Sequence, residues 1–164
     1  MRALTANDFP TPRWTRHLVP LLLAWLLASA WGSVVQTQWN LQALLDVGVA
    51  IPMAERARAT LQDLIGFAPV YAGILAAGWL PALVVASLVA RRWPNWRSPL
   101  LAMAAGVGMV AAVRTVDAVA PMPVFIDATR HLPGLLVMAA GATVAGLLYA
   151  RLTARSGNTR LVNT

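Results

Sequence analysis

LVPLLLAWLLASAWGSVV, residues 18–35, is a run of eighteen residues without one charged side chain, and its reading decides the fold. At a rise of about 1.5 Å per residue, a helix of roughly 20 residues crosses a hydrocarbon layer about 30 Å thick. The apolar character continues to about Trp39, so the run predicts a membrane-spanning helix over 18–39. Pro20 falls in its first turn, where a missing N–H matters least. Residues 1–17, with Arg2, Arg13, Trp14 and Arg16, read as a short polar tail. Ala28-Ser29-Ala30 after two arginines also fits the small-residue pattern of a signal-peptide cleavage site. The apolar run carries on through Val34 and Val35, and an uncleaved span is the preferred reading.

Outward from this stretch, three more runs have the same character. Residues 67–90 stop at Arg91 and Arg92, and residues 132–150 stop at Arg151. Residues 99–120 are apolar as far as Val113 and then carry Arg114 and Asp117. Lipid cannot hydrogen-bond an exposed backbone, so runs of this length imply helices. The expected fold is all-α, an integral membrane four-helix bundle. Composition agrees: 59% of the 164 residues are hydrophobic and 12% charged, with a mean hydropathy of +0.64. The net charge of +7 does not imply nucleic acid, because the arginines sit at the ends of apolar runs, where topology signals belong. The absence of cysteine excludes thiol redox chemistry and zinc–thiolate sites. Lysine is absent too, which excludes Schiff-base chemistry and Walker-type phosphate binding.

Arginine decides how the spans are threaded. Arg2, Arg13, Arg16, Arg91, Arg92, Arg97, Arg151, Arg155 and Arg160 flank one side, whereas Arg56, Arg58, Arg114 and Arg130 flank the other. Nine against four is a positive-inside signal, which puts both tails (1–17 and 151–164) and the 91–97 turn in the cytoplasm. Asp46, Glu55, Asp63, Asp117 and Asp127 fall on the outer side, leaving only Asp8 with the arginines.

Between the first two spans, Met53, Ala57, Leu61, Leu64 and Ile65 recur at helical spacing, with Glu55, Arg56, Arg58, Gln62 and Asp63 filling the other faces. This predicts an amphipathic helix over about 52–66, lying in the outer interface and ending at Gly66. Its ordinary role would be a connector, its functional one a docking surface. Asn40 to Val47 allows a further short turn of helix. Pro121-Met122-Pro123 stops the third helix.

Small residues recur four apart at Ala28/Gly32, Ser29/Ser33, Ala102/Gly106, Ala104/Gly108, Gly141/Ala145 and Ala142/Gly146, which predicts close helix packing. Trp14, Trp39, Trp93 and Trp96 lie near the expected interfaces. Trp25, Trp31 and Trp79 lie within spans, where each indole N–H needs a partner.

The charged residues near the outer ends give the one candidate site. Arg114 and Asp117 are three apart and share a helix face, as do Asp127 and Arg130, with His131 adjacent. Arg114, Asp117, Asp127, Arg130 and His131 are therefore expected to converge on the outer face. Two roles are open to them: structural ion pairing, which is the preferred reading, or an ion or substrate path. His17 and His131 begin spans from opposite sides, so one chain cannot pair them around a haem or metal. No catalytic, metal or cofactor-binding residue is expected.

The segments Thr37-Gln38-Trp39-Asn40-Leu41, Leu45-Asp46-Val47-Gly48-Val49, 58–66, Ala68-Pro69-Val70-Tyr71 and Leu132-Pro133-Gly134-Leu135-Leu136 resemble those of small four-span inner-membrane proteins of Gram-negative bacteria with no assigned activity. That resemblance implies location and architecture, and no site residue. The resulting expectation is a non-enzymatic accessory or structural subunit, in contact with lipid and with another membrane protein or a second copy of itself. The alternatives are an oligomeric transporter or channel component using Arg114 and Asp117, and an enzyme acting on lipid or quinone at the interface.

Overall fold

The computed structural model describes residues 15–119 and 126–158. Four helices make up most of this: α1, Thr15–Asp46; α2, Met53–Arg92; α3, Arg97–Val119; and α4, Leu132–Asn158. A 3₁₀ turn at Pro94–Trp96 joins α2 to α3, and another at Asp127–Thr129 precedes α4. All four helices are long and apolar enough to span a membrane, and the protein is a multi-pass membrane helical bundle with no strand among the described residues. The helices form a ring in which α1 packs on α2 and α4, and α3 packs on α2 and α4. Successive helices run antiparallel. The Arg97 guanidinium at the start of α3 donates to the Ala150 carbonyl (2.9 Å) and to Thr153 Oγ1 (2.6 Å) near the end of α4.

The helices are inside-out relative to those of a water-soluble bundle. Leu22, Leu23, Leu26 and Leu27 of α1 are exposed, while Ala24, Ala28, Ser29 and Gly32 of the same helix are buried. Lipid tails are as apolar as leucine, so burying leucine gains little, and close backbone packing over small residues takes its place. The core is filled by Tyr71, Leu75 and Trp79 of α2, Leu101 and Met109 of α3, and Met138 of α4. Most residues of the small pairs are buried as the spacing predicts; Ala104 and Gly141 are half-buried. A close backbone contact joins α2 to α3, where a Cβ on Gly78 would collide with the Gly108 carbonyl oxygen and a Cβ on Gly108 would lie 3.0 Å from that of Gly78.

All three in-span indoles donate to a main-chain carbonyl of a neighbouring helix. Trp25 Nε1 donates to Ala72 O (3.0 Å), Trp31 Nε1 to Val137 O (2.9 Å) and Trp79 Nε1 to Ala105 O (2.9 Å). They tie α1 to α2, α1 to α4 and α2 to α3. Helix carbonyls retain a second lone pair after their intrahelical bond, so they accept these protons without breaking the helix.

The helix ends differ from the sequence expectation. The amphipathic helix over 52–66 is not a separate interfacial element: residues from Met53 onward belong to one 40-residue helix that continues into the second span. Gly66 does not end it, and neither does Pro69. A glycine inside a helix costs about 1 kcal/mol relative to alanine and a proline about 3. Packing against α1 offsets this: Tyr71, stacked on Phe67 of its own helix with centroids 5.9 Å apart, lies against Gly32. Likewise α1 does not end near Trp39 but runs to Asp46, and α4 passes Arg151 to reach Asn158. The third span begins at Arg97 and is followed to Val119; Ala120 and Pro121-Met122-Pro123 lie outside the described residues.

At 1.5 Å per residue, α1 and α2 are about 48 and 60 Å long, against about 35 and 40 Å for α3 and α4. With Gly78 opposite Gly108, the end of α3 is level with about Phe67. Residues 53–66 of α2 therefore extend about 20 Å beyond α3. The connection at 47–52 turns the chain at Gly48, whose φ of 87° is in the left-handed region that favours glycine.

Candidate functional site

The described residues bring polar groups together where α1, α2 and the 126–129 turn meet, at the end of the bundle opposite Arg97. Ser33, Gln36 and Thr37 lie at positions i, i+3 and i+4 of α1 and so share one face. All three are buried, at 0%, 7% and 2% exposure. Thr37 Oγ1 stands 2.7 Å from Asp63 Oδ2 and 2.9 Å from the Ser33 carbonyl, and can offer its one proton to either. Gln36 Oε1 accepts the main-chain N–H of Ala128 at 2.8 Å, although 92 residues separate them. One turn further out, Gln38 Nε2 donates to Thr60 Oγ1 (3.0 Å), and Thr60 donates to the Arg56 carbonyl (2.8 Å). The Ser33 hydroxyl has no hydrogen-bond partner among the described residues.

The turn that meets Gln36 is itself part of the core. Ile126, Ala128 and Thr129 are fully buried, and Thr129 Oγ1 donates to the Ile126 carbonyl at 2.7 Å. The segment wedges between α1 and α4. Its one exposed edge carries the ion pair between Arg130 Nε and Asp127 Oδ1, at 3.0 Å.

Of the five residues expected to converge, the structure thus brings two together, Asp127 and Arg130. Arg114 is exposed on α3, Asp117 is half-buried one turn later, and His131 is exposed just before α4. Among the described residues no side-chain hydrogen bond or ion pair links Arg114 or His131 to the Asp127–Arg130 pair. His17 lies in the first turn of α1, at the far end of the bundle from His131. Sequence reasoning missed the Ser33, Gln36 and Thr37 face. The signal was available: three polar residues on one helical face at the end of an otherwise apolar run.

The seam has limited chemistry. Asp63 is its one carboxylate, and its other members are hydroxyls and two amides; the one hydroxyl set against the carboxylate, that of Thr37, is buried at 2% exposure. Among the described residues no group of three His, Cys, Asp or Glu side chains could hold a metal ion. What the arrangement does is fix α1 against α2 and against the turn.

Fixing α1 on α2 has a consequence beyond the bundle, since it stiffens the extension of the two helices. That extension carries large apolar side chains in the open: Ile65 is 80% exposed, Met53 78%, Val47 76% and Leu61 63%. Leu61 and Ile65, four apart, share a face. No family model, no curated protein and no solved structure matches this chain.

Proposed function

We propose that the protein is a non-enzymatic accessory subunit of a membrane complex, and that the projecting α1–α2 hairpin is the part that holds its partner protein. In this reading it sits in the inner membrane of a Gram-negative bacterium with both termini in the cytoplasm, as the nine-to-four division of arginines favours.

The observation that carries the reading is the exposed apolar surface of the hairpin. The polar layer of a bilayer adds only about 5–8 Å beyond each face of the hydrocarbon. Leu61 lies about 9 Å and Met53 about 20 Å past Phe67, and a tilt of about 20° changes this little. Glu55, Arg56, Arg58 and Gln62 share this stretch, so it belongs outside the hydrocarbon. Lipid therefore does not account for the exposed side chains at its tip, whereas a second protein does. The Thr37–Asp63 and Gln38–Thr60 bonds hold the surface in a fixed shape, which lowers the entropy lost when a partner docks.

The test is purification of the tagged chain in mild detergent at native expression, with size exclusion and mass spectrometry of what co-elutes. The expected result is a second protein in stoichiometric amount, lost from Met53→Glu/Leu61→Glu while the helical circular dichroism is kept. A homo-oligomer without a partner would overturn it and move the reading to an oligomeric transporter using Arg114 and Asp117. Topology is checked separately: the chain has no cysteine, so a single cysteine placed at the exposed Ala50 gives a unique label, expected from the periplasmic side.

A further inference from the structure

A second feature lies on the opposite half of the molecule and is independent of the proposed partner. A groove of about 760 Å³ runs along the outer face between α2 and α3. Pro81, Val85 and Val89 form one wall, Met103 and Val107 the other, and its lining holds no charged residue. Its one hydroxyl, Thr115, is at the far end. At the near end it meets a depression of about 300 Å³ with which it shares Val89 and Leu100, and whose remaining walls are Trp93 and Trp96. Both indoles are more than half exposed. Arg91 and Arg92, immediately before them, are exposed as well.

The groove is apolar along its length; Arg91 and Arg92 precede the indoles at one end, and Arg114 adjoins Thr115 at the other. From Leu100 to Val116 it measures about 24 Å along α3, more than the ~15 Å that one leaflet of a ~30 Å hydrocarbon layer occupies. A lipid chain starting at the indoles therefore fits within it as far as the bilayer centre. Tryptophan belongs at the level of the headgroups, which registers the mouth to the phosphate layer.

Charge selects the headgroup. The described carboxylates, Asp46, Glu55, Asp63, Asp117 and Asp127, lie in the other half of the molecule, so none neutralises Arg91 or Arg92. Arg97 is already engaged with Ala150 and Thr153. Two guanidiniums with no carboxylate beside them among the described residues favour an anion at this end of the groove, and each basic group near the headgroups adds to anionic-lipid attraction. We infer that the α2–α3 groove is a binding site for one anionic phospholipid, with an acyl chain along Pro81, Val85 and Val107 and the phosphate at Arg91 and Arg92.

The experiment is native mass spectrometry of the full chain in detergent, titrated with palmitoyl-oleoyl phosphatidylglycerol or the matching phosphatidylcholine. One phosphatidylglycerol is expected to be retained about tenfold or more tightly than phosphatidylcholine, the size expected for two arginines. Arg91→Gln/Arg92→Gln should abolish the preference without altering phosphatidylcholine binding, and Arg58→Gln at the opposite end should leave it intact. Val107→Trp, a substitution of an exposed residue that fills the groove, should expel both lipids. Equal retention of the two lipids, a preference that survives Arg91→Gln/Arg92→Gln, or lipid retained in full by Val107→Trp would overturn the assignment. So would a second copy of the chain replacing lipid in the spectrum.

Discussion

The α2–α3 and α1–α4 contacts close the same ring by different means. Helices α2 and α3 follow each other in the chain through a short turn at Pro94–Trp96, and they touch backbone to backbone at Gly78 and Gly108. Helices α1 and α4 are the first and last, and they meet through side chains and an inserted turn: Trp31 reaches the Val137 carbonyl, and Gln36 takes the Ala128 N–H. Directional hydrogen bonds occur in both, since Trp79 also donates to the Ala105 carbonyl across α2 and α3; the α1–α4 contact depends in addition on an inserted turn that Gln36 holds in register.

Three substitutions would break or sharpen this contrast. Gly108→Leu should have the largest effect, since a side chain there must push the α2 backbone away; overpacking of this kind costs up to about 3 kcal/mol or more. Loss of the monodisperse detergent-solubilised species and a lower midpoint of thermal unfolding by circular dichroism are the expected readouts. Gln36→Leu should act next, because it leaves the buried Ala128 N–H without an acceptor, at a cost of about 1–3 kcal/mol. Its mark is local: faster proteolysis or hydrogen exchange around 126–131, with α2 and α3 unaffected. Smallest is Arg130→Ala. The pair is 52% and 36% exposed, and solvent-screened pairs of this kind contribute about 0–1 kcal/mol. Thermal unfolding of Arg130→Ala within error of the parent would mark this ion pair as a surface feature. A shift as large as that of Gln36→Leu would show it to be part of the α1–α4 closure.

The four spans were legible because the signal is thermodynamic: a run such as 18–35 without a charge has no stable alternative to a helix in lipid. Helix ends were not legible. Gly66 reads as a stop signal and costs about 1 kcal/mol within a helix, and the contact between α1 and α2 outweighs it. That contact depends on Tyr71 lying against Gly32 and on Thr37 reaching Asp63, pairings between distant positions that no local pattern reveals. The need of Trp25, Trp31 and Trp79 for partners was legible from their depth; the carbonyls they chose were not. At the candidate site, the spacing of Asp127 and Arg130 gave their pairing, since i, i+3 geometry is local. The larger polar seam joins α1 to a turn 92 residues later, and only the fold brings them together.

That separation also bears on how the chain is made. When α1 leaves the ribosome, Ala128 does not yet exist, and at about 5–20 residues per second it is synthesised some 5–20 s later. Throughout this interval the Gln36 amide lacks the partner it has in the finished bundle, and a buried polar group left unpaired costs about 1–3 kcal/mol. The first helix, apolar enough to enter lipid by itself, therefore reaches its final polar pairing only when the last helix arrives.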